Sequence, residues 1–270
     1  MTKTTSGGKW LLDEIWKMVA PLIPPPRRRR RDGKGRPRLE DRRVLPGIIF
    51  LLRTGIPWRH MPPELGCGSG MTCLRRLREW HRKGVFQKLY EVLLAKLHSA
   101  DKIDWSRAII DSAKTKAPSG GEKTGPNPTD RRKLGSKIHV LVGAHGVPLA
   151  VSLTGANRHD ITQVLPLTDG VAPVGKKKGR PRRRPKILQG DRGYDSQPHR
   201  KALRKRGVTP LLAKRYTDNG SGLGKTRWVV ERTIAWFTRF GKIRIRTERL
   251  PENYEALLKI ASCLICLRFP

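Results

Sequence analysis

Acidic side chains are scarce. The 270 residues contain 22 Asp and Glu against 58 Lys and Arg, a formal net charge of +36. An ordinary metabolic enzyme, charged only enough to stay in solution, is excluded. A polyanionic partner is required, and nucleic acid is the one that fits. The excess belongs to no tail, since residues 1–100 carry +14 and residues 101–270 carry +22. Cysteine is also rare, with Cys67, Cys73, Cys263 and Cys266 alone. A chain of this length that is 37% hydrophobic builds a core without disulfides, so a disulfide scaffold is excluded. Cys263 and Cys266 have CxxC spacing but lie in the apolar run KIASCLICL with no second thiol pair, and are assigned to the core. No run reaches 18 apolar residues, which argues against a spanning helix. The opening MTKTTSGGKW has no apolar segment of a secretory leader.

What is present divides near residue 100. In the first part, Trp10, Leu11, Ile15, Trp16, Met18, Val19 and Leu22 recur at helical spacing until Pro21 and Pro24–Pro26 stop them. Arg27 to Arg38 form a basic stretch broken by Gly and Pro. Helices are expected at 39–54, with Pro46 kinking or dividing it, and at 70–82 and 85–97. Residues 1–100 therefore read as a small, basic, all-helical region with helix-turn-helix-like spacing. Such helices suit a phosphate backbone or a major groove, or serve as a helical cap with a solvated basic face.

From residue 104 the pattern changes. Ala108–Ile110 is a short strand ending at Asp111, and 113–136 lacks periodicity and reads as a loop. Residues 137–142 and 148–153 read as a hairpin about Gly146. A helix follows from Asp160 to Leu167. The segment 175–186, GKKKGRPRRRPK, is a basic loop. Ile187–Gln189 is a strand just before Asp191, followed by a helix at 197–206, a strand at 209–213, a helix around Glu231 and a final helix at 252–267. The order β, β, β, α, β, α, β, α belongs to an α/β, ribonuclease-H-like mixed-sheet domain. Adjacent strand ends then bring Asp111 and Asp191 together, and a helix brings Glu231 over them. Clustered carboxylates repel unless cations neutralise them. Mg²⁺, with Mn²⁺ substituting, prefers such hard oxygen ligands. Two ions clamp an in-line displacement at phosphorus, one activating the attacking oxygen and one stabilising the leaving oxygen. Asp111 would bridge them, with Asp191 and Glu231 each serving one. Taken singly, Asp111 also suits a turn and Asp191 an ion pair with Arg192.

The strings AIIDSAKTKA, GSKIHV, LTGANRHD, QGDRGYDS and RWVVERTIAWFTRF occur in that order, preceded by LRTGIPWRHMP at 52–62. With them the chain resembles bacterial insertion-sequence transposases of the DDE class, in the branch with a Tyr-Arg-Glu-Lys signature. The resemblance spans nearly the whole chain. It implies a helical DNA-binding region at 1–100 and a catalytic domain at 101–270. Asp111, Asp191 and Glu231 match the catalytic, metal-holding acids. Tyr194 matches the aromatic residue after the second acid, and Arg227 the signature arginine. The activity implied is binding of terminal inverted repeats, cleavage at the element's ends and joining of the 3′-hydroxyl ends to target DNA. A homodimer or higher assembly on double-stranded DNA is implied, in the cytoplasm with the nucleoid, with no membrane and no nucleotide cofactor. Two positions depart from the signature: its tyrosine falls at Gly224, and its lysine at Thr238 beside Arg239. A hydrolytic nuclease of the same fold, and a DNA-binding protein derived from a disabled transposase, use the same residues.

Other contacts to DNA are expected from Arg232, Arg239, Lys137 and Arg192, and from Lys176, Lys177, Lys178, Arg182, Arg183 and Arg184 of the basic loop. Trp228 fits base stacking or packing equally, and Trp236 fits the core. His139 and His159 suit structural roles or the edge of the site. NGSGLGKT at 219–226 imitates a phosphate-binding loop, but Asn219 stands where its first glycine is needed and no strand leads directly into it.

Overall fold

The computed structural model describes residues 6–25, 37–175, 181–216 and 224–269. Lys176, Lys177 and Lys178 lie outside the described residues, as does most of the 219–226 loop. Five strands form the body of one mixed sheet. Strand β1 (Arg107–Lys116) is followed by the two-residue β2 (Gly125–Pro126), then β3 (Leu134–Gly143) and β4 (Pro148–Gly155). β3 lies between β1 and β4 and pairs antiparallel with each. β5 (Ile187–Gly190) lies parallel to β1 on its other side, and β6 (Thr209–Leu212) parallel to β5. The spatial order β4-β3-β1-β5-β6, three antiparallel strands followed by two parallel ones, is the ribonuclease-H-like arrangement. β2 pairs with the first residues of β3.

β1 runs four residues into the expected loop, to Lys116. Ser112 to Lys116 have little apolar signal, but β3 offers a full ladder as far as Lys116 beside Gly135. Backbone pairing and the neighbouring strand override composition there. Asp111 consequently sits inside a strand and not at its end.

Four helices precede the sheet: α1 (Ser6–Val19), α2 (Asp41–Thr54), α3 (Gly70–Arg82) and α4 (Val85–Ser99). Pro46 leaves α2 undivided. Ser69 caps α3 by accepting from the Thr72 N–H at 3.2 Å. α5 (Val164–Asp169) follows β4 and α6 (Gln197–Lys205) follows β5, and after β6 come α7 (Gly224–Thr238), α8 (Gly241–Arg244) and α9 (Pro251–Cys266). No described helix is long and apolar enough to cross a membrane.

The early helices dock on the last ones. Apolar faces of α3 and α4 meet α9, whose buried face includes Leu257, Ile260, Leu264 and both its cysteines. Polar ties fix the register: Arg78 Nε donates to Asn253 Oδ1 at 2.9 Å, and Tyr90 Oη to the Pro148 carbonyl at 2.5 Å. Arg246, fully buried, donates to the carbonyls of Glu122 and Glu248 at 2.7 and 2.9 Å, joining the β1–β3 connection to the approach to α9. All four cysteines are buried free thiols.

At the crossing of α2 and α8 two glycines meet. Gly55 ends α2 with φ of 80°, and a Cβ on Gly241 would stand 2.6 Å from the Thr54 carbonyl oxygen and 2.7 Å from Gly55 Cα. Backbone on both sides cannot yield. Gly241→Ala is expected to destabilise the fold by about 1–3 kcal/mol, measured as a lower midpoint in urea or thermal unfolding. An unchanged midpoint would show that the two helices do not cross this closely.

Candidate active site

The parallel pairing of β1 with β5 sets the site. Ala108 lies beside Leu188 and Ile109 beside Gln189. Two residues further on in each strand stand Asp111 and Asp191, on adjacent chains at the same level. There β5 ends. Asp191 leaves the sheet and caps a short 3-10 turn (Arg192–Tyr194), its Oδ1 accepting the Gly193 N–H at 2.8 Å. The tight exit explains Gly190: a Cβ there would come within 3.0–3.1 Å of Leu212, Tyr194 and Ile110 side chains.

Glu231 arrives on α7. The helix is pinned across the sheet at two places. Thr226 Oγ1 donates to Gln189 Oε1 at 2.9 Å, with Arg107 Nη1 donating to both at 3.2 Å. About two turns later Thr233 Oγ1 donates to the Gly146 carbonyl at 2.9 Å, and Arg232 Nη2 to the His145 carbonyl at 2.7 Å. Between these pins, Arg227 and Glu231 fall on one face, four residues apart.

Arg227 stands among all three acids. Its Nη2 is 3.5 Å from Asp111 Oδ2 and 3.6 Å from Asp191 Oδ2, and its Nε is 3.6 Å from Glu231 Oε1. The two aspartate oxygens are thus separated by no more than twice the longer distance. Exposure rises outward, from 15% for the Asp111 side chain to 35% for Asp191 and 58% for Glu231. Burial pushes the Asp111 carboxyl above its usual range. The Ser112 N–H at 2.8 Å and Arg227 oppose that shift, while Asp191 and Glu231 add to it. The donor set is all carboxylate oxygen and suits a hard divalent ion. In this conformation, though, no three His, Cys, Asp or Glu side chains among the described residues converge tightly enough to hold one. The acids gather around a guanidinium instead.

The remaining expected residues occupy varied places. Tyr194 is buried, its ring against Gly190, and its hydroxyl has no hydrogen-bond partner. Burial, then the nearby acids Asp160, Asp111 and Asp191, hold the phenol well above its ordinary pKa. Lys137 is buried too, its Nζ 3.0 Å from Asp160 Oδ1 and donating to the Arg158 carbonyl at 2.7 Å. Asp160 also accepts from Ser112 Oγ at 2.8 Å, which ties LTGANRHD to the residue after Asp111. His139 completes this buried cluster. Its Nε2 meets Thr154 Oγ1 at 2.8 Å, and burial pushes its pKa down to about 4. His159 is exposed. Arg232 lies between the rings of Trp228 and Trp236, 4.8 and 4.9 Å from their centroids, and faces the β3–β4 turn. Trp228 is half exposed, whereas Trp236 packs on the core and edge-on to Phe269. Arg192, Arg239, Arg182, Arg183 and Arg184 are exposed, the last donating to the Arg206 carbonyl at 2.9 Å. Sequence reasoning passed over Arg107, Gln189 and Thr226, which hold α7 on the sheet. Gln189, buried and polar immediately before the QGD turn, was their one available signal.

Residues 105–266 match the family model described as a transposase DDE domain. The chain belongs to the DDE transposase family. Residues 11–90 of this transposase match a second model, a putative transposase of the IS4/5 family. The putative transposase for insertion sequence element IS402 of Burkholderia cepacia is 54% identical over 160 residues, covering 59% of this chain and 74% of that one. The IS402 uncharacterized 16.2 kDa protein of the same organism is 51% identical over 116 residues, covering 43% and 79%. The crystal structure of the Mos1 Strand Transfer Complex aligns over 89% of this chain and 81% of that chain, at 13% identity and a TM-score of 0.28. That superposition is too loose to bear on the fold, which rests on strand order. The transposase is an enzyme, and its domain class depends on divalent metal.

A carboxyl whose pKa is higher folded than unfolded binds its proton better in the folded state. Its ionisation therefore subtracts from stability as pH rises from about 3.8, the unfolded value, through the raised folded value, and the loss is complete above it. In chelator at pH 7, Asp111→Asn is expected to unfold at the same temperature as the parent transposase or higher, the two converging at acid pH. A lower midpoint for the variant at pH 7 would contradict the burial of this charge.

Proposed function

We propose that Asp111, Asp191 and Glu231 are the acids of the transposition reaction and together hold its divalent ions, Mg²⁺ by the hardness of the donor set, with Mn²⁺ able to replace it. One observation carries the reading. Three carboxylates from distant parts of the chain, one inside a strand, one just past the end of its neighbour and one on a helix, face a single cation within 3.6 Å. Carboxylates crowded together repel unless a proton or a cation offsets their charge, and here a cation already stands among them. When bound, the ions supply charge to activate the attacking oxygen and to stabilise the leaving one.

The protein's own groups do the rest. Asp111, deepest and least hydrated, is aimed by the Ser112 N–H. The Arg107–Gln189–Thr226 network fixes the height of α7, and so of Glu231, above the two aspartates. The exposed arginines beside the site hold DNA phosphates. Arg192 follows Asp191, Arg239 stands at the end of α7, and Arg182 and Arg183 line the basic loop. The half-exposed Trp228 presents a stacking face one residue from Arg227. The helical region 1–100 contributes to binding the element's ends, and two copies act together on paired ends. The transposase cleaves there and joins the 3′-hydroxyl ends to target DNA.

Asp111→Asn, Asp191→Asn and Glu231→Gln are each expected to reduce Mg²⁺-dependent end cleavage and joining to background while leaving duplex binding intact. Excision and joining of a labelled end fragment, with and without chelator, provides the measurement. Near-normal cleavage by any one variant removes that residue from the site. Duplex affinity is expected to fall steeply with salt, and Arg182→Gln combined with Arg183→Gln to reduce the log–log salt slope by roughly 1–2, about 0.9 for each lost phosphate contact. An unchanged slope would put the basic loop away from DNA.

A further inference from the structure

Arg227 does more than neighbour the acids. Its guanidinium fills the space they surround. Each oxygen of a carboxylate cluster holding Mg²⁺ lies roughly 2.1 Å from the ion, so an ion held by these oxygens cannot coexist with the guanidinium where it now stands. Arginine as a side-chain type does not give up its charge to make room. It leaves only by moving. Two features make it movable. None of its carboxylate contacts, at 3.5, 3.6 and 3.6 Å, is a hydrogen bond, and its Nε has no hydrogen-bond partner. Its side chain is 36% exposed.

We propose that Arg227 is a resident counter-cation: in the DNA-free transposase it holds the three acids together and competes with divalent ions for them, so that the free chain is a poor metal binder. The proposal rests on the assignment of Asp111, Asp191 and Glu231 as the metal-holding acids. Its function is to keep a metal-activated nuclease quiet until DNA is seated. A phosphate offers the guanidinium a better, bidentate partner than three distant carboxylate oxygens. By linkage, whatever draws Arg227 out of the cluster tightens metal binding, and metal in the cluster tightens the hold of Arg227 on phosphate. Arg227 is in these terms a positioning residue, acting through the carboxylates.

The test measures Mn²⁺ binding to the full-length chain without DNA, from the loss of the free-ion electron paramagnetic resonance signal. Arg227→Ala and Arg227→Gln are both expected to bind Mn²⁺ at least about fivefold more tightly than the parent, the low end for coupled sites. Arg227→Lys, which keeps the charge but not the span, is expected to fall between. Mn²⁺ is also expected to raise the unfolding temperature of Arg227→Gln by more than that of the parent. Equal or weaker Mn²⁺ binding by both neutral variants overturns the proposal. Adding Asp111→Asn to Arg227→Gln separates the two levels. Loss of the tight Mn²⁺ shows that the acids hold the ion. If the tight binding gained by Arg227→Gln survives Asp111→Asn, the ion lies elsewhere, and the assignment of the acids fails along with the proposal.

Discussion

Like charges brought together in a half-buried place must be compensated, and most of the active-site architecture follows from how that is done. Asp111 sits low in the sheet, where water is largely excluded and its ionised form is disfavoured. Asp191 and Glu231 make its ionisation harder still. One guanidinium, reaching all three, offsets the repulsion without forming a hydrogen bond to any of them. The arrangement keeps the three acids together around one cation.

Holding three acids around one point demands rigid supports. Two of the acids share a level because β1 and β5 run parallel and in register. The third comes from a helix pinned to strand β5 at one end and to the β3–β4 turn at the other. The early helices brace this frame from the far side. They dock on α8 and α9, and α9 in turn packs on β4 and α7. The helical region and the sheet therefore share apolar packing, and movement of one is resisted by the other.

The large positive charge is not all available to DNA. Arg246 is consumed inside, satisfying backbone carbonyls. Arg76 is buried in an ion pair with Asp41. Lys242 is buried against Glu248, which also accepts from Trp58 Nε1 at 3.2 Å. Arg200 is buried between Asp195 and the Leu212 carbonyl, at 2.8 Å from each. Internal cations of this kind fix loops where backbone acceptors would otherwise lie buried and unpaired. The exposed arginines around α7 and the basic loop keep much of the remaining positive charge at the surface, where the low acidic content leaves few competitors for it.

By itself, the sequence determined the class of partner, the order of the main strands and helices, and the strings in which the three proposed acids stand, because charge excess, apolar periodicity and local strings are properties of the chain alone. It also marked the region before residue 100 as helical. Tertiary structure decided the rest. The length of β1 depended on β3 supplying a ladder to residues with no strand signal of their own. Lys137, Tyr194 and Arg232 resemble surface contacts in the sequence, yet pack against Asp160, Gly190 and two tryptophans, since a long polar side chain shows its destination only when its neighbours from other elements are in place. That Arg227 meets all three acids follows from the height of one helix above one sheet. No spacing along the chain encodes that distance, because the contacts that set it join residues more than thirty positions apart.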